Sequence, residues 1–94
     1  MLILPIKKKW FDMILSGEKK EEYREIKPYW AKRLEFMKNE EFYVIFKNGY
    51  SAKSPQLKCK CRLRIGQCRK EWGAEEGKGY YILEILEVVE GDQL

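Results

Sequence analysis

A dense charged segment, residues 17–24, contains the residue types that can bind an anion or move a proton. It carries cations, among them Lys19 and Arg24, between carboxylates such as Glu22. A lysine and an arginine brought together at a pocket mouth could hold a phosphate or carboxylate, and a neighbouring carboxylate could act as a general base. Lys19 and Arg24 are five positions apart, so a flat strand would point their side chains to opposite faces. They converge only if Lys19 lies in a turn or a bulge intervenes. The alternative is a solvated charge run.

An alternating segment, residues 57–65, places four cations on one side of a predicted strand and apolar residues on the other. The cations are Lys58, Lys60, Arg62 and Arg64. Strand geometry separates such side chains by about 6.7 Å. They could therefore follow a phosphate backbone, with Arg69 and Lys70 extending the patch. The alternative is a solvated strand face that pairs with the acidic tail.

Aromatic residues outside the regular segments offer surfaces on which a base could stack. Trp72, Tyr23 and Tyr50 are the candidates, because sequence-tolerant recognition of single strands relies on such stacking. Ordinary packing is the alternative for each of them, with Trp72 closing one end of a barrel.

The three cysteines do not have the spacing of a metal site. Cys59 and Cys61 fall on the apolar side of the alternating segment, and Cys68 follows seven residues later. A structural zinc ion wants four ligands, commonly in Cys-x-x-Cys pairs, and the chain has no histidine. The lack of histidine also excludes Ser–His and Cys–His nucleophile pairs. We therefore predict core cysteines, no metal and no cofactor.

Two parts of the chain resemble the ASCH (activating signal cointegrator homology) domain family. Residues 14–19, Ile-Leu-Ser-Gly-Glu-Lys, followed by Arg24, are similar to its Gly-x-Lys…Arg signature. Ile65-Gly66, residues 71–75, Gly77 and residues 80–84 are similar to its second half, so the resemblance covers nearly the whole chain in order. It implies a PUA-like β-barrel, a cleft between barrel and first helix with Lys19 and Arg24 near its mouth, and RNA recognition.

Some members of the ASCH family are enzymes, so the resemblance also implies hydrolysis as an alternative. A bacterial branch removes the acetyl group from acetylated cytidine, and a ribonuclease activity is attributed to the family. The deacetylating branch has a threonine three residues after the signature lysine; here that position is Glu22, which cannot copy a hydroxyl. A later glutamate of that site could be Glu71, Glu75 or Glu76. If this chain is an enzyme, Lys19 and Glu22 are its candidate catalytic residues.

Apolar periodicity predicts the elements that must position these residues. An amphipathic helix is expected over residues 7–16 with Gly17 as its C-terminal cap, and a second helix over residues 29–37 after Pro28. Strands are expected over residues 1–6, 19–26, 41–47, 57–65 and 80–89, and residues 66–79 are irregular. Five strands and two helices predict an α+β fold, a small β-barrel with flanking helices.

The composition is typical of a single domain over residues 1–94 that binds a polyanion. The net charge is +4, but residues 47–70 hold eight basic residues and no acidic one, whereas residues 71–94 hold seven acidic residues and one lysine. Concentrated basic charge indicates nucleic acid as the first partner. No apolar run approaches the roughly 20 residues of a membrane span, so no membrane partner is predicted and the cytoplasm is expected.

Three functions follow from these features. The first is an RNA- or nucleotide-binding ASCH-like domain that uses a cleft pair, Lys19 and Arg24, and the basic strand, with Trp72 as a further nucleic-acid-binding residue. The second is a small hydrolase acting on a modified nucleoside or on RNA. The third is a protein-interaction adaptor that uses the basic and acidic halves of the chain.

Overall fold

The computed structural model describes residues 2–91, and its elements follow the predicted order. They are β1 (Leu2–Pro5), α1 (Lys8–Leu15), β2 (Glu21–Glu25), α2 (Pro28–Leu34), a 3-10 turn (Glu35–Met37), β3 (Glu41–Lys47), β4 (Gln56–Gln67), a second 3-10 turn (Lys70–Trp72) and β5 (Gly79–Gly91). The predicted strands and helices are confirmed, with ends that differ by a few residues. Met1 of the predicted first strand and Asp92 of the acidic tail lie outside the described residues.

The five strands form one mixed sheet in the order β1-β3-β4-β5-β2. Strand β1 runs parallel to β3, and the other neighbours are antiparallel. The pairing of β4 with β5 shifts register twice, between Lys58 and Cys59 and between Lys60 and Cys61. Such bulges increase the local twist. The sheet is a curled half-barrel with two helices, which confirms the coarse prediction of a small α+β, barrel-like fold.

The inner face of the sheet forms the main core. Strand β4 contributes Leu57, Cys59, Cys61 and Leu63, all buried, and the helices cover them with Phe11, Ile14 and Leu34. The prediction that Cys59 and Cys61 are core residues is confirmed. Cys68 is half-buried at the edge of a second, smaller cluster on the other face of the sheet, built from Tyr23, Ala74, Tyr80 and Ile82.

The end of α1 determines where Lys19 lies. Gly17 has φ +85°, a left-handed conformation that glycine adopts without strain. Its N–H donates to the carbonyl of Ile14 at 3.1 Å, and the N–H of Lys19 donates to the carbonyl of Met13 at 2.9 Å. The chain therefore folds back under the helix, so Lys19 lies in the turn before β2. This is one of the two arrangements that let Lys19 and Arg24 converge.

Candidate ligand-binding cleft

An open cleft of about 400 Å³ occupies the gap between the two edge strands, where the half-barrel does not close. Its walls come from the end of β1, from β2, from both helices and from the segment after β4. The lining residues are Pro5, Ile6, Lys7, Trp10, Glu22, Tyr23, Arg24, Glu25, Trp30, Trp72, Gly73 and Tyr80. All three tryptophans of the chain are among them. The cleft is therefore an aromatic site with a few charged groups.

Each tryptophan reaches the cleft from a different element. Trp10 comes from α1, Trp30 from α2 and Trp72 from the second 3-10 turn. Gly73 follows that turn with φ +101°, and a Cβ atom there would stand 3.1 Å from Cζ2 of Trp10. Glycine thus lets the Trp72 segment approach the indole of Trp10 closely. The guanidinium of Arg24 lies 5.3 Å from the ring centroid of Trp30, within the range of a cation–π contact.

A buried carboxylate joins the two signature cations at the cleft. Oε1 of Glu22 accepts a hydrogen bond from Nζ of Lys19 at 2.7 Å, and Oε2 accepts one from Nη1 of Arg24 at 2.6 Å. Glu22 and Arg24 share a face of β2 because they are two residues apart, and Lys19 reaches the same carboxylate from the turn. Lys19 also donates to the backbone carbonyl of Glu21. The structure thus brings together Lys19, Glu22 and Arg24, which sequence reasoning singled out.

Lys19 lies beneath the cleft and not on its wall. Its side chain is 0 % exposed, whereas Arg24 and Glu22 line the cleft. Burial lowers the pKa of Lys19, and the carboxylate of Glu22 opposes that shift. The rings of Trp10 and Tyr23 stand 5.3 and 5.1 Å from its ammonium. Lys19 can therefore act on a ligand only through Glu22, whose two oxygens are both engaged.

Tyr23 ties the Trp72 segment to the sheet. Its hydroxyl donates to Oε1 of Glu21 at 2.7 Å and accepts from the backbone N–H of Arg69 at 3.1 Å. Burial and the bond to Glu21 raise the pKa of Tyr23 well above its ordinary value, so the phenol remains neutral. The other oxygen of Glu21 accepts from Arg64. Arg69 and Trp72 are thus held beside the cleft by a hydrogen bond between the loop and β2.

Three of the four cations of the predicted basic strand are paired with carboxylates of neighbouring strands. Lys60 contacts Glu41 at 3.0 Å, and Arg62 contacts Glu84 at 3.0 Å. Arg64 contacts Glu84 at 3.5 Å and also pairs with Glu21. Lys58 lies 5.0 Å from the ring centroid of Tyr43. Paired cations are what the alternative interpretation expects, although most partners come from β2 and β3 rather than from the tail. Nucleic-acid binding by this strand stays a prediction.

The remaining predicted residues lie outside the cleft lining. Tyr50 is exposed in the loop after β3, and the three candidate downstream glutamates, Glu71, Glu75 and Glu76, are also exposed. Sequence reasoning missed two of the three cleft tryptophans, Trp10 and Trp30. Trp10 belongs to the apolar face of α1, and its partial burial at the cleft is visible only in the structure. No spacing in the sequence points to Trp30.

Comparisons with known proteins add no relative: no family model, no curated protein and no solved structure matches this chain. Within residues 2–91, no helix has the length and apolar character needed to cross a bilayer. The described part of the chain also holds no cluster of three or more cysteine or acidic side chains arranged for a metal ion. The cleft itself is thus the ground on which a function can be argued.

Proposed function

We propose that this chain is an RNA- or nucleotide-binding domain of the ASCH type, with a PUA-like fold, and that the tryptophan-lined cleft is its ligand site. The observation that carries the proposal is the convergence of Trp10, Trp30 and Trp72 with Arg24 around one opening. Stacking of a base on an aromatic side chain contributes about 1–3 kcal/mol. Three indoles in one cleft therefore favour a flat, unsaturated ligand.

The dimensions of the cleft favour one base or one nucleoside over a long stretch of backbone. Its volume of about 400 Å³ falls in the range of roughly 300–1,000 Å³ typical of small-ligand sites. The charged residues on its wall are Lys7, Glu22, Arg24 and Glu25, and such groups orient a ligand that aromatic surfaces hold. A single-stranded or looped RNA, whose bases can leave the stack, fits this description better than a duplex.

Membership of the ASCH family is supported by the positions of the signature residues. Lys19 and Arg24 meet on the two oxygens of Glu22 beside the first helix; Arg24 lines the opening, as the resemblance implies, whereas Lys19 lies beneath it. The glycine of the signature, Gly17, makes this meeting possible because it ends α1 and turns the chain back. The signature therefore has a physical role in shaping the cleft of this chain.

Hydrolysis of a modified nucleoside, such as acetylated cytidine, or of RNA is the second candidate function. It is favoured by the 2.7 Å contact between Lys19 and Glu22 and by the lowered pKa of Lys19, since desolvated lysines beside carboxylates occur in active sites. Binding ranks first because Lys19 is shielded from the cleft and Glu22 is held at both oxygens. Release of acetate or of RNA fragments by the wild type, lost in Lys19→Ala with folding intact, would reverse this ranking.

Intrinsic tryptophan fluorescence gives a direct test of the binding proposal. Because every tryptophan lines the cleft, stacking of a base there should quench the signal, whereas a ligand on the outer face of β4 should leave it unchanged. Titrations would use short single-stranded RNA, hairpin RNA and single-stranded DNA at low salt. Fluorescein-labelled copies would give the affinity by anisotropy.

Replacement of one indole locates the site. Trp72→Ala should weaken RNA binding on the order of tenfold, the lower part of the range for one stacked base. Phe36→Ala is the matched control, because Phe36 is an aromatic residue 74 % exposed and outside the cleft lining. Absence of both quenching and anisotropy change with all three nucleic acids would overturn the proposal. Equal weakening of RNA binding by the two variants would show that the cleft is not the binding site.

A further inference from the structure

The cations around the cleft fall into two groups according to whether a carboxylate meets them. Arg24 is bound to Glu22, and Lys78 is bound to Glu25 at 3.0 Å. Glu25 also contacts Lys27 at 3.3 Å. These charges are compensated inside the protein, so little of their field is available to an anionic ligand.

Among residues 2–89, three other cations stand at the cleft without a carboxylate partner. Lys7 lines the cleft, Nζ of Lys9 lies 4.8 Å from the ring centroid of Trp10, and the guanidinium of Arg69 lies 4.9 Å from that of Trp72. All three side chains are exposed. Within residues 2–89, none of the three has an acidic oxygen within 4.0 Å. We call Lys7, Lys9 and Arg69 the cleft rim.

The cleft rim comes from two segments that the fold holds near the tryptophans. Lys7 and Lys9 flank the start of α1, which carries Trp10. Arg69 is fixed at its backbone by the hydrogen bond to Tyr23, itself a cleft residue. The contact between Gly73 and Trp10 brings the two segments together. Cations without an ion pair also occur elsewhere on the protein, but these three are distinguished by lying beside the indole surfaces of the cleft.

We infer that Lys7, Lys9 and Arg69 bind the phosphates that flank a base held in the cleft, and that the outer face of β4 is not the phosphate-binding surface. This inference rests on the proposed function. The ligand class is a phosphate-bearing nucleic-acid segment with one unstacked base in contact with the tryptophans. An exposed lysine or arginine without a carboxylate contributes to binding by releasing counterions from the nucleic acid, whereas a cation that is already paired gains less from a phosphate.

A charge-matched pair of triple variants tests the inference. One removes the cleft rim with Lys7→Gln, Lys9→Gln and Arg69→Gln; the other removes three cations of β4 with Lys58→Gln, Lys60→Gln and Arg62→Gln. Both lose the same net charge, so non-specific attraction to RNA falls equally. Affinity for one labelled single-stranded RNA would be measured by anisotropy over a series of salt concentrations. Circular dichroism and urea unfolding would establish that each variant is folded.

The expected result is a large difference between the two triple variants. Loss of the cleft rim should weaken binding at least on the order of tenfold and make the slope of log K against log salt shallower by about 2, since each phosphate contact on a single strand contributes roughly 0.7. Loss of the β4 cations should leave the slope close to the wild-type value. A shallower slope in the β4 variant alone would overturn the inference while the cleft kept its role through tryptophan quenching.

Two further outcomes distinguish a failure of this inference from a failure of the proposed function. If the wild type binds no oligonucleotide, the proposed function fails and the cleft rim loses its ligand. If a polyglutamate peptide binds with the same affinity and the same dependence on the cleft rim as RNA, the rim is a site for acidic protein segments, and the assignment to nucleic acid is overturned. If the rim variant fails to fold, the single variants Lys9→Gln and Arg69→Gln repeat the test, each with an expected change in slope of about 0.7.

Discussion

The outer face of β4 and the rim of the cleft both carry cations, but within the described part of the chain carboxylates of neighbouring strands pair with cations of β4 and not with those of the rim. Arg62 and Arg64 contact Glu84, and Lys60 contacts Glu41. At the rim, Lys9 and Arg69 lie against indole rings instead. Whether a cation is available to bind an anionic ligand therefore depends on which side chain lies opposite it, and strand register decides that. The number of cations in a segment does not.

The two regions also differ in how deeply their ion pairs are buried. At the cleft, Lys19 and Glu22 are 0 % and 7 % exposed at their side chains, whereas Arg62 is 48 % exposed. Breaking a buried pair by removing one partner leaves an uncompensated charge in a poorly solvated place. Exposed pairs are weak because water and salt screen them. Removing one charge of the buried pair beneath the cleft should therefore cost more stability than removing one charge of an exposed pair on β4.

The largest expected effect is on stability, from removing the ammonium of Lys19. Lys19→Met should lower the free energy of unfolding by about 3–5 kcal/mol, because Glu22 keeps its buried charge and loses one of its two partners. The matched change on β4, Arg62→Met, should cost no more than about 1 kcal/mol. Urea unfolding at neutral pH measures both values. Equal losses would mean that the pair beneath the cleft is no more valuable than a surface ion pair.

A second prediction concerns the two buried thiols on the inner face of β4. Burial raises the pKa of the Cys59 thiol to about 12 and raises the pKa of Cys61 as well. A cysteine thiol in the unfolded chain has a pKa of about 8.5. Above that pH the unfolded chain holds fewer protons than the folded one. Stability should therefore fall as pH rises, by about 1.4 kcal/mol per pH unit for each thiol.

Urea unfolding at about pH 8 and about pH 10 measures this fall. The lowered pKa of Lys19 acts in the opposite direction, since the unfolded chain then keeps the lysine proton to higher pH than the folded one. A Cys59→Ala, Cys61→Ala variant should be less stable at neutral pH but should lose less on going to alkaline pH. An unchanged pH dependence in that variant would assign the alkaline loss to other groups.

The sequence was sufficient for the elements and for part of the cleft. Strand β3 has the predicted bounds, and strict alternation in β4 predicted both its buried cysteines and its cationic face. Lys19 and Arg24 could be selected because the signature segment follows a helix that ends at a glycine. These elements and residues are determined by residues close to them in the chain, so the local spacing of residue types is enough to predict them.

What the sequence could not give depends on contacts between distant segments. Leu57 pairs with Gly91, but after two bulges Arg62 pairs with Glu84 and not with Leu86; the two bulges thus place Glu84 opposite Arg62, where unbroken pairing would place it opposite Arg64. Trp30 reaches the cleft from α2, whose position in the fold depends on distant segments. Neither the strand register nor the position of α2 leaves a periodic signal, so the pairing of the β4 cations and the third tryptophan both required the structure.

The smallest expected effect concerns a glycine in each region. Gly73→Ala should cost about 1–2 kcal/mol, because a residue with a Cβ is strained at φ +101° and because that Cβ would press on Cζ2 of Trp10 from 3.1 Å. Gly66 is the matched position in β4: its φ is not in the left-handed region, and its nearest neighbour, Cδ1 of Ile82, lies at 3.6 Å.

Gly66→Ala should therefore be neutral or slightly stabilising, since alanine restricts the unfolded chain more than glycine does. Thermal unfolding ranks the two variants, and tryptophan quenching by RNA separates stability from site geometry. If Gly73→Ala keeps full stability yet binds RNA more weakly, the shift of Trp10 alone is responsible, and the close approach of the two segments exists to shape the cleft. If both variants bind as the wild type does, the contact between Gly73 and Trp10 serves packing only.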